Sequence, residues 1–190
     1  MAFPRSGTVD TQTFSGTKDF VFARSSVLQN ANIGVGDHLK FDTVDFSRPS
    51  VAQLTGALGG SAVSLDTTTA YVNTVGAASL GRFTVRGGKL YKLECSPGYA
   101  LLTAAGSLVT YQWFDVTTLG SPAAIGQPLT FLPLTDAGHE NSSGDLWTMY
   151  NPGGGQNDLF LIEVQIIAVT TLISIGAANK GFPTVMVETY

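Results

Sequence analysis

Apolar and polar residues alternate along most of this chain. The stretch GRFTVRGGKLYKLECS (81–96) alternates, stops at two glycines and alternates again. Alternation with period two is typical of a half-buried β-strand, whereas no window shows a sustained helical period with caps at both ends. One turn of helix is possible at 47–58. The predicted strands are DFVFAR (19–24), HLKFDTVDF (38–46), SAVSLD (61–66), GRFTVR (81–86), KLYKLECS (89–96), LVTYQWFDV (108–116), PLTFLPL (128–134), DLFLIEVQII (158–167), TLISIGA (171–177) and TVMVETY (184–190).

The stretch 81–96 predicts a β-hairpin. A two-residue loop would set Phe83 opposite Lys92, whereas a three-residue loop pairs Phe83 with Tyr91 and joins apolar to apolar. The three-residue loop also places Gly88 where the backbone takes a positive φ. We therefore expect a hairpin that builds core on one face and leaves its charged face in water.

Ten short strands separated by turns predict an antiparallel sandwich, jelly roll or barrel. The length of 190 residues fits one domain. Charged residues make up only 13% of the chain, against about 25% in an ordinary soluble domain. This composition favours a surface that is partly covered by other chains. A large core, or a polar surface rich in Ser and Thr, would give the same composition.

The charge argues against binding to nucleic acid, because the net charge is −4. Residues 1–93 carry nine Lys or Arg and six Asp, whereas residues 94–190 carry one Lys and eight acidic residues. We expect strands from both halves to interleave and to mix these charges. No membrane span is predicted, because the longest apolar run (159–169) is interrupted by Glu163 and Gln165 and is too short.

Compartment and redox state follow from two further features. The N-terminus has no apolar signal core, so synthesis in the cytoplasm is expected. Cys95 is the single cysteine, which excludes an intrachain disulfide, and its place in an apolar strand predicts a buried thiol.

Few residues suggest chemistry. The chain has two histidines, His38 and His139, and lacks the G-x-S-x-G turn that presents a serine nucleophile. The loop TDAGHENSSGD contains possible metal ligands, but their spacing fits no known metal loop. A glycan hydrolase would need paired acids, drawn here from Asp115, Asp136, Glu140 and Asp145. We predict no enzyme, no catalytic residue, no cofactor and no metal.

The stretch 81–96 also carries a family resemblance. It is similar to the F-T-x-x-x-G-x-x-Y hairpin of phage structural proteins with a complement-globular-head or TNF-like jelly roll. Phe83, Thr84, Gly88 and Tyr91 occupy those positions. The animal relatives usually have the glycine two residues before the tyrosine, where Lys89 stands in this chain. VSLDTTTAYVNT (63–74) and YQWFDVTTLGSPAAIGQ (111–127) resemble the segments on either side, and the resemblance covers roughly residues 61–167.

The resemblance implies an all-β, antiparallel jelly-roll sandwich of about ten strands, assembled as a homotrimer and without a catalytic residue. We assign trimer packing to Tyr111, Trp113, Phe160 and Ile162. The function that it implies is a capsid decoration (cement) protein, which would bind the major capsid protein on the surface of a tailed-phage head. A receptor-binding tip of a tail or head fibre is the alternative.

The N-terminal segment precedes the resemblance and is rich in aromatic residues. We predict an arm at 1–18 and a jelly-roll domain at 19–190. In the arm, Phe3, Pro4, Arg5 and Phe14 are the predicted partner contacts, because a free tail is normally richer in charge and poorer in aromatics. The next candidate for docking is the basic hairpin edge, formed by Arg82, Arg86, Lys89 and Lys92.

Overall fold

The computed structural model describes residues 18–26, 34–48, 62–67, 71–72, 78–79, 81–102, 108–118, 120–131, 140–141, 144–170, 172–175 and 182–190. Every regular secondary-structure element within these ranges is a β-strand. They are β1 (Phe20–Arg24), β2 (Thr43–Arg48), β3 (Val63–Asp66), β4 (Tyr71–Val72), β5 (Ala78–Ser79), β6 (Arg82–Arg86), β7 (Tyr91–Ser96), β8 (Tyr99–Leu102), β9 (Val109–Asp115), β10 (Ala123–Phe131), β11 (Glu140–Asn141), β12 (Leu146–Tyr150), β13 (Leu159–Val169), β14 (Leu172–Ile175) and β15 (Thr184–Thr189).

Ten of these strands form two five-stranded antiparallel sheets. Sheet I has the order β12-β7-β15-β1-β2, and sheet II has the order β10-β9-β13-β6-β3. The chain passes repeatedly from one sheet to the other, and the first strand lies beside the last. This interleaving of two four-stranded layers, extended at their edges by β2 and β3, is a jelly roll. The predicted jelly-roll sandwich of about ten strands is confirmed.

Strand prediction failed where the alternation is weak. The segment LWTMY forms β12 in sheet I, yet it was not predicted because apolar residues occupy both of its faces. Strand β10 begins at Ala123, inside a segment predicted as a turn. The possible helix at 47–58 is wrong at its start, since Ser47 and Arg48 belong to β2, and positions 49–58 lie outside the described residues.

The predicted hairpin at 81–96 is wrong. Strand β6 pairs with β3 and β13 in sheet II, whereas β7 pairs with β12 and β15 in sheet I. Both hydrogen-bonding edges of β6 are therefore occupied, and β7 cannot join it. Phe83 and Tyr91 are buried as predicted, but they enter the core from opposite sheets. A sequence pattern identifies which residues face the core and leaves open which sheet each strand joins.

The turn between β6 and β7 depends on its two glycines. Gly88 has the predicted positive φ, 69°. Its amide donates to the carbonyl of Gly153 at 2.8 Å, and the amide of Gly87 donates to the carbonyl of Asp158 at 2.9 Å. A Cβ at Gly87 would lie 2.5 Å from the carbonyl oxygen of Gly155, so this close approach of two turns excludes any side chain there.

Aromatic rings fill the space between the sheets. The ring of Phe83 lies 6.0 Å from that of Phe41 and 6.2 Å from that of Trp113, and all three side chains are fully buried. The Tyr91 hydroxyl accepts a hydrogen bond from the Arg86 amide at 3.0 Å, which ties β7 of sheet I to β6 of sheet II. Burial raises the pKa of this phenol far above its usual value.

The two halves of the chain interleave as expected. Strand β1 pairs with β15, and Arg82 of the basic half pairs with Glu163 of the acidic half at 2.8 Å. The thiol of Cys95 is fully buried, which confirms its predicted place, and that burial raises its pKa far above the value of an exposed thiol.

Gly81 provides a test of this packing. Its φ is +102°, and an added Cβ would overlap the backbone nitrogen of Phe41 and lie 2.9 Å from its carbonyl oxygen. Gly120 is a matched control, because its φ is +90° and no heavy atom lies within 4 Å of the added Cβ. We expect Gly120→Ala to cost about 1–2 kcal/mol for the left-handed backbone. Gly81→Ala should cost a further ~1–3 kcal/mol from overpacking. Urea unfolding measures both, and equal losses would contradict the packing.

Candidate interaction surface

Sheet I turns one face to the core and the other outward. Strand pairing aligns the outward side chains in rows that cross the sheet. In the central row, Phe22 pairs with Phe46 on one side and with Met186 on the other. Met186 in turn pairs with Glu94, and Glu94 pairs with Trp147. We call these five residues, in the order Phe46, Phe22, Met186, Glu94 and Trp147, the apolar row.

The two ends of the apolar row are its most exposed members. Phe46 is 67% exposed and Trp147 is 63% exposed. The rings of Phe22 and Phe46 lie 6.3 Å apart and form an aromatic pair at one end. Glu94 is the single charge in the row, and Lys92 neutralises it at 2.7 Å. The middle members of the row are half-buried, so its exposed apolar side chains lie at the two edges of the sheet.

The rows on either side of the apolar row contain polar and charged residues together with Phe20 and Met149. One neighbouring row contains Arg48, Phe20, Glu188, Lys92 and Met149. On the other side, Arg24 pairs with Thr184, and Thr184 pairs with Ser96. A cavity of about 240 Å³ lies there, lined by Phe22, Glu94, Ser96, Asp145, Thr184, Val185 and Met186. Typical ligand pockets span ~300–1,000 Å³, so this cavity is smaller than a typical ligand site.

The residues predicted to pack the trimer lie elsewhere. Trp113 and Ile162 are fully buried, and Tyr111 is 1% exposed. These three side chains form the core of a single chain, so their assignment to trimer packing is corrected. They face the other sheet. The prediction failed because alternation identifies the apolar face of a strand but does not identify what covers that face. Phe160 is half-buried against the core.

The apolar row could be found from the sequence only in part. Phe46 lies in the predicted strand 38–46, and a phenylalanine that faces outward from a strand indicates a surface that contacts another protein. Trp147 lies in β12, which was not predicted. The row exists only through strand pairing, and a pattern read along the chain does not give the pairing.

The predicted arm lies almost wholly outside the described residues. Phe3, Pro4, Arg5 and Phe14 are among those not described. Lys18, the last residue of the predicted arm, places its ammonium 4.9 Å from the centre of the Tyr190 ring. The arm and its contacts stay a prediction.

The basic hairpin edge is not an exposed patch. Arg82 is 6% exposed and Arg86 is 7% exposed, so the expected solvated face is wrong for both. Arg82 is held by Glu163, and the Arg86 guanidinium donates to the carbonyl of Gln156 at 3.3 Å. Lys92 pairs with Glu94 at 2.7 Å.

A buried polar cluster surrounds Glu163. Its carboxylate accepts hydrogen bonds from Arg82 Nε at 2.8 Å and from Gln165 Nε2 at 2.8 Å, and His38 Nδ1 lies 3.7 Å away. The His38 side chain is fully buried and that of Glu163 is 2% exposed. The cluster fixes the segment containing His38 to β13, where the Leu39 amide donates to the carbonyl of Val164 at 2.9 Å.

The candidate acids and metal ligands are not brought together by the described residues. Asp136 and His139 lie outside them. The Asp115 carboxylate accepts a hydrogen bond from the Tyr150 hydroxyl at 2.6 Å, and Asp145 is exposed at the rim of the cavity. In the ranges given above, no group of three potential ligands could hold a metal ion. A helix with the length and apolarity to cross a membrane is also not found there.

Comparisons with known proteins give a likeness of fold. No family model and no curated protein matches the chain. The structure of Eiger TNF from S. frugiperda aligns with a TM-score of 0.48 and 10% identity, over 89% of this chain and 90% of that one. Murine APRIL aligns with a TM-score of 0.39 and 7% identity, over 89% and 98%. The strand order, and not these two likenesses, establishes the jelly roll.

The buried cluster makes stability depend on pH. Burial, opposed by Glu163 and Asp37 and reinforced by Arg82 and Lys40, lowers the pKa of His38 below 6.5. The unfolded chain therefore binds a proton that the folded chain does not, and stability falls as the pH drops below about 6.5. The slope is at most about 1.4 kcal/mol per pH unit.

Urea unfolding between pH 7.5 and pH 5.5 measures this effect, and His38→Gln should flatten the dependence. His139→Gln is the control for loss of an imidazole. If His38→Gln keeps the wild-type slope, the assignment of the pH dependence to His38 is wrong.

Proposed function

We propose that this protein is a non-enzymatic structural protein that assembles as a homotrimer through the outward face of sheet I. The exposed apolar row carries the proposal. A single chain leaves two aromatic side chains about two-thirds exposed at opposite edges of one sheet. Burying each against another copy gains about 1.5–3 kcal/mol. The low charge of the whole chain supports the same proposal.

We further propose that the trimer is a cement protein on the head of a tailed phage, bound to the major capsid protein. The resemblance of residues 61–167 to phage structural proteins supports this role, and so does the aromatic composition of the N-terminal segment. Cement proteins add stability by bridging neighbouring capsid subunits, which requires one surface for self-assembly and a second surface for the capsid. The apolar row is the proposed first surface, and the arm at 1–18 is the proposed second.

Substitutions in the apolar row test the trimer. We expect the wild-type protein to scatter light as a trimer, three times the chain mass of 19.9 kDa. Phe46→Ser and Trp147→Ser should shift it toward the monomer at micromolar concentration, because a ring repeats each lost contact three times. Val35→Ser is the control, since Val35 is 56% exposed and lies off this face. Monomeric wild-type protein would refute the trimer, and trimeric variants would place the interface elsewhere.

Deletion of residues 1–18 tests the capsid contact. The truncated protein should stay trimeric and melt nearly as the wild type, because among the described residues it loses the Lys18–Tyr190 contact, worth about 0.5–1 kcal/mol at an exposed site. Its binding to capsid shells should weaken in a co-sedimentation assay.

Two outcomes would count against the arm. Misfolding or dissociation of the truncated protein would mean that the segment belongs to the sandwich. Unchanged binding to shells would mean that docking uses another surface. If the full chain does not bind shells but blocks infection of host cells, the fibre-tip alternative replaces cement.

A further inference from the structure

Residues 34–38, which we call the flap, cover part of the edge of a central strand. Strand β13 pairs with β6 over its first four residues. Further along β13 the flap takes the place of β6. The Gly36 amide donates to the carbonyl of Ile166, and the Ile166 amide donates to the carbonyl of Asp37, both at 2.8 Å. The flap therefore supplies the backbone partners of Ile166 on this edge.

The flap is attached through polar groups, whereas the chain directly after it is attached through apolar ones. The one apolar side chain within 34–38 is that of Val35, and it is 56% exposed. The imidazole of His38 is buried, and beyond it Leu39 and Phe41 are fully buried in the core. A region with few buried apolar side chains opens more easily than the domain unfolds. Leu39 and Phe41 thus mark the fixed end of the flap.

His38 is a titratable group within this attachment. Four charged residues act on its ring, namely Glu163 of β13, Arg82 of β6, and Asp37 and Lys40 of its own segment. Glu163 lies 3.7 Å from the Nδ1 atom, but its carboxylate also accepts hydrogen bonds from Arg82 and Gln165, each at 2.8 Å. The two acids and two bases balance. A proton on His38 would therefore add a buried positive charge to a neutral set.

These surroundings favour the neutral imidazole in the closed flap. Burial, reinforced by Arg82 and Lys40 and opposed by Glu163 and Asp37, lowers the pKa of His38 below 6.5. In an open flap the imidazole lies in water and has its ordinary pKa. The open form therefore binds a proton that the closed form does not. Closing becomes less favourable as the pH falls below about 6.5.

We propose that acid releases the flap from β13 while the rest of the sandwich stays folded. The opening uncovers the backbone N–H and C=O groups of Ile166 on a central strand. A strand edge without partners pairs readily with another extended segment. The proposal is independent of the trimer and of the capsid, because every group that it uses belongs to one chain.

Amide hydrogen exchange, resolved by NMR on the full-length protein, tests the flap. The reporters are the amides of Gly36 and Ile166. Their protection factors are compared with the equilibrium constant of global folding from urea unfolding at the same pH. An amide that exchanges through a local opening is less protected than this constant allows. Its exchange also changes little in sub-denaturing urea, because a local opening exposes little surface.

We expect both reporters to show local exchange, and their protection to fall about three- to tenfold from pH 7.5 to pH 5.5, as one linked proton requires. His38→Gln should abolish this fall, and the control His139→Gln should keep it. A fall that persists in His38→Gln would overturn the role of His38.

Two results on the wild-type protein would overturn the flap even if His38→Gln did not fold. The first is protection equal to the global folding constant at both pH values, with the urea dependence of global unfolding. The second is protection that does not change between pH 7.5 and pH 5.5.

Discussion

The burial of Phe83 between Phe41 and Trp113 is the contact on which the rest of the structure depends. These rings come from three separate parts of the chain and meet in the space between the two sheets. Because Gly81 must lie directly against the backbone of Phe41 for this contact to form, the start of β6 is fixed in position. Strand β6 is then enclosed by β3 and β13, and the chain has to cross to sheet I at Gly87 and Gly88. The interleaved order of the jelly roll follows from that crossing.

The fold class could be predicted from the sequence because alternation depends only on which side of a strand meets the core. Phe83 and Tyr91 alternate with polar residues, and both are buried. The partner of each strand could not be predicted in the same way. A hairpin and a crossing between sheets bury the same two side chains, so the pattern at 81–96 is compatible with both. The pairing is decided by contacts with β13 and β15, which lie far along the chain.

The residues of the candidate surface could also not be predicted from the sequence pattern, because the surface depends on strand pairing. Tyr111 and Trp113 were expected at a subunit contact because they are large and aromatic, yet the other sheet covers them. Phe46 and Trp147 are separated by about one hundred residues and share a row only because five strands align them. Charge was also misleading, since Arg82 and Arg86 look like surface residues in the sequence. Each finds its partner in β13 or in the turn before it, and neither partner is visible from its own strand.

The adjacency of β1 and β15 sets how this domain responds to force. The two strands are antiparallel, so the start of β1 and the end of β15 lie at the same end of sheet I, where Lys18 meets Tyr190. A pull applied through these two positions opens the pairs one after another, from Phe20–Glu188 inward. The load therefore acts on one residue pair at a time, whereas shear along the strands would load all five pairs together. A domain strained along this axis therefore peels apart gradually from its ends, whereas a load applied across the sheets is opposed by the whole aromatic core.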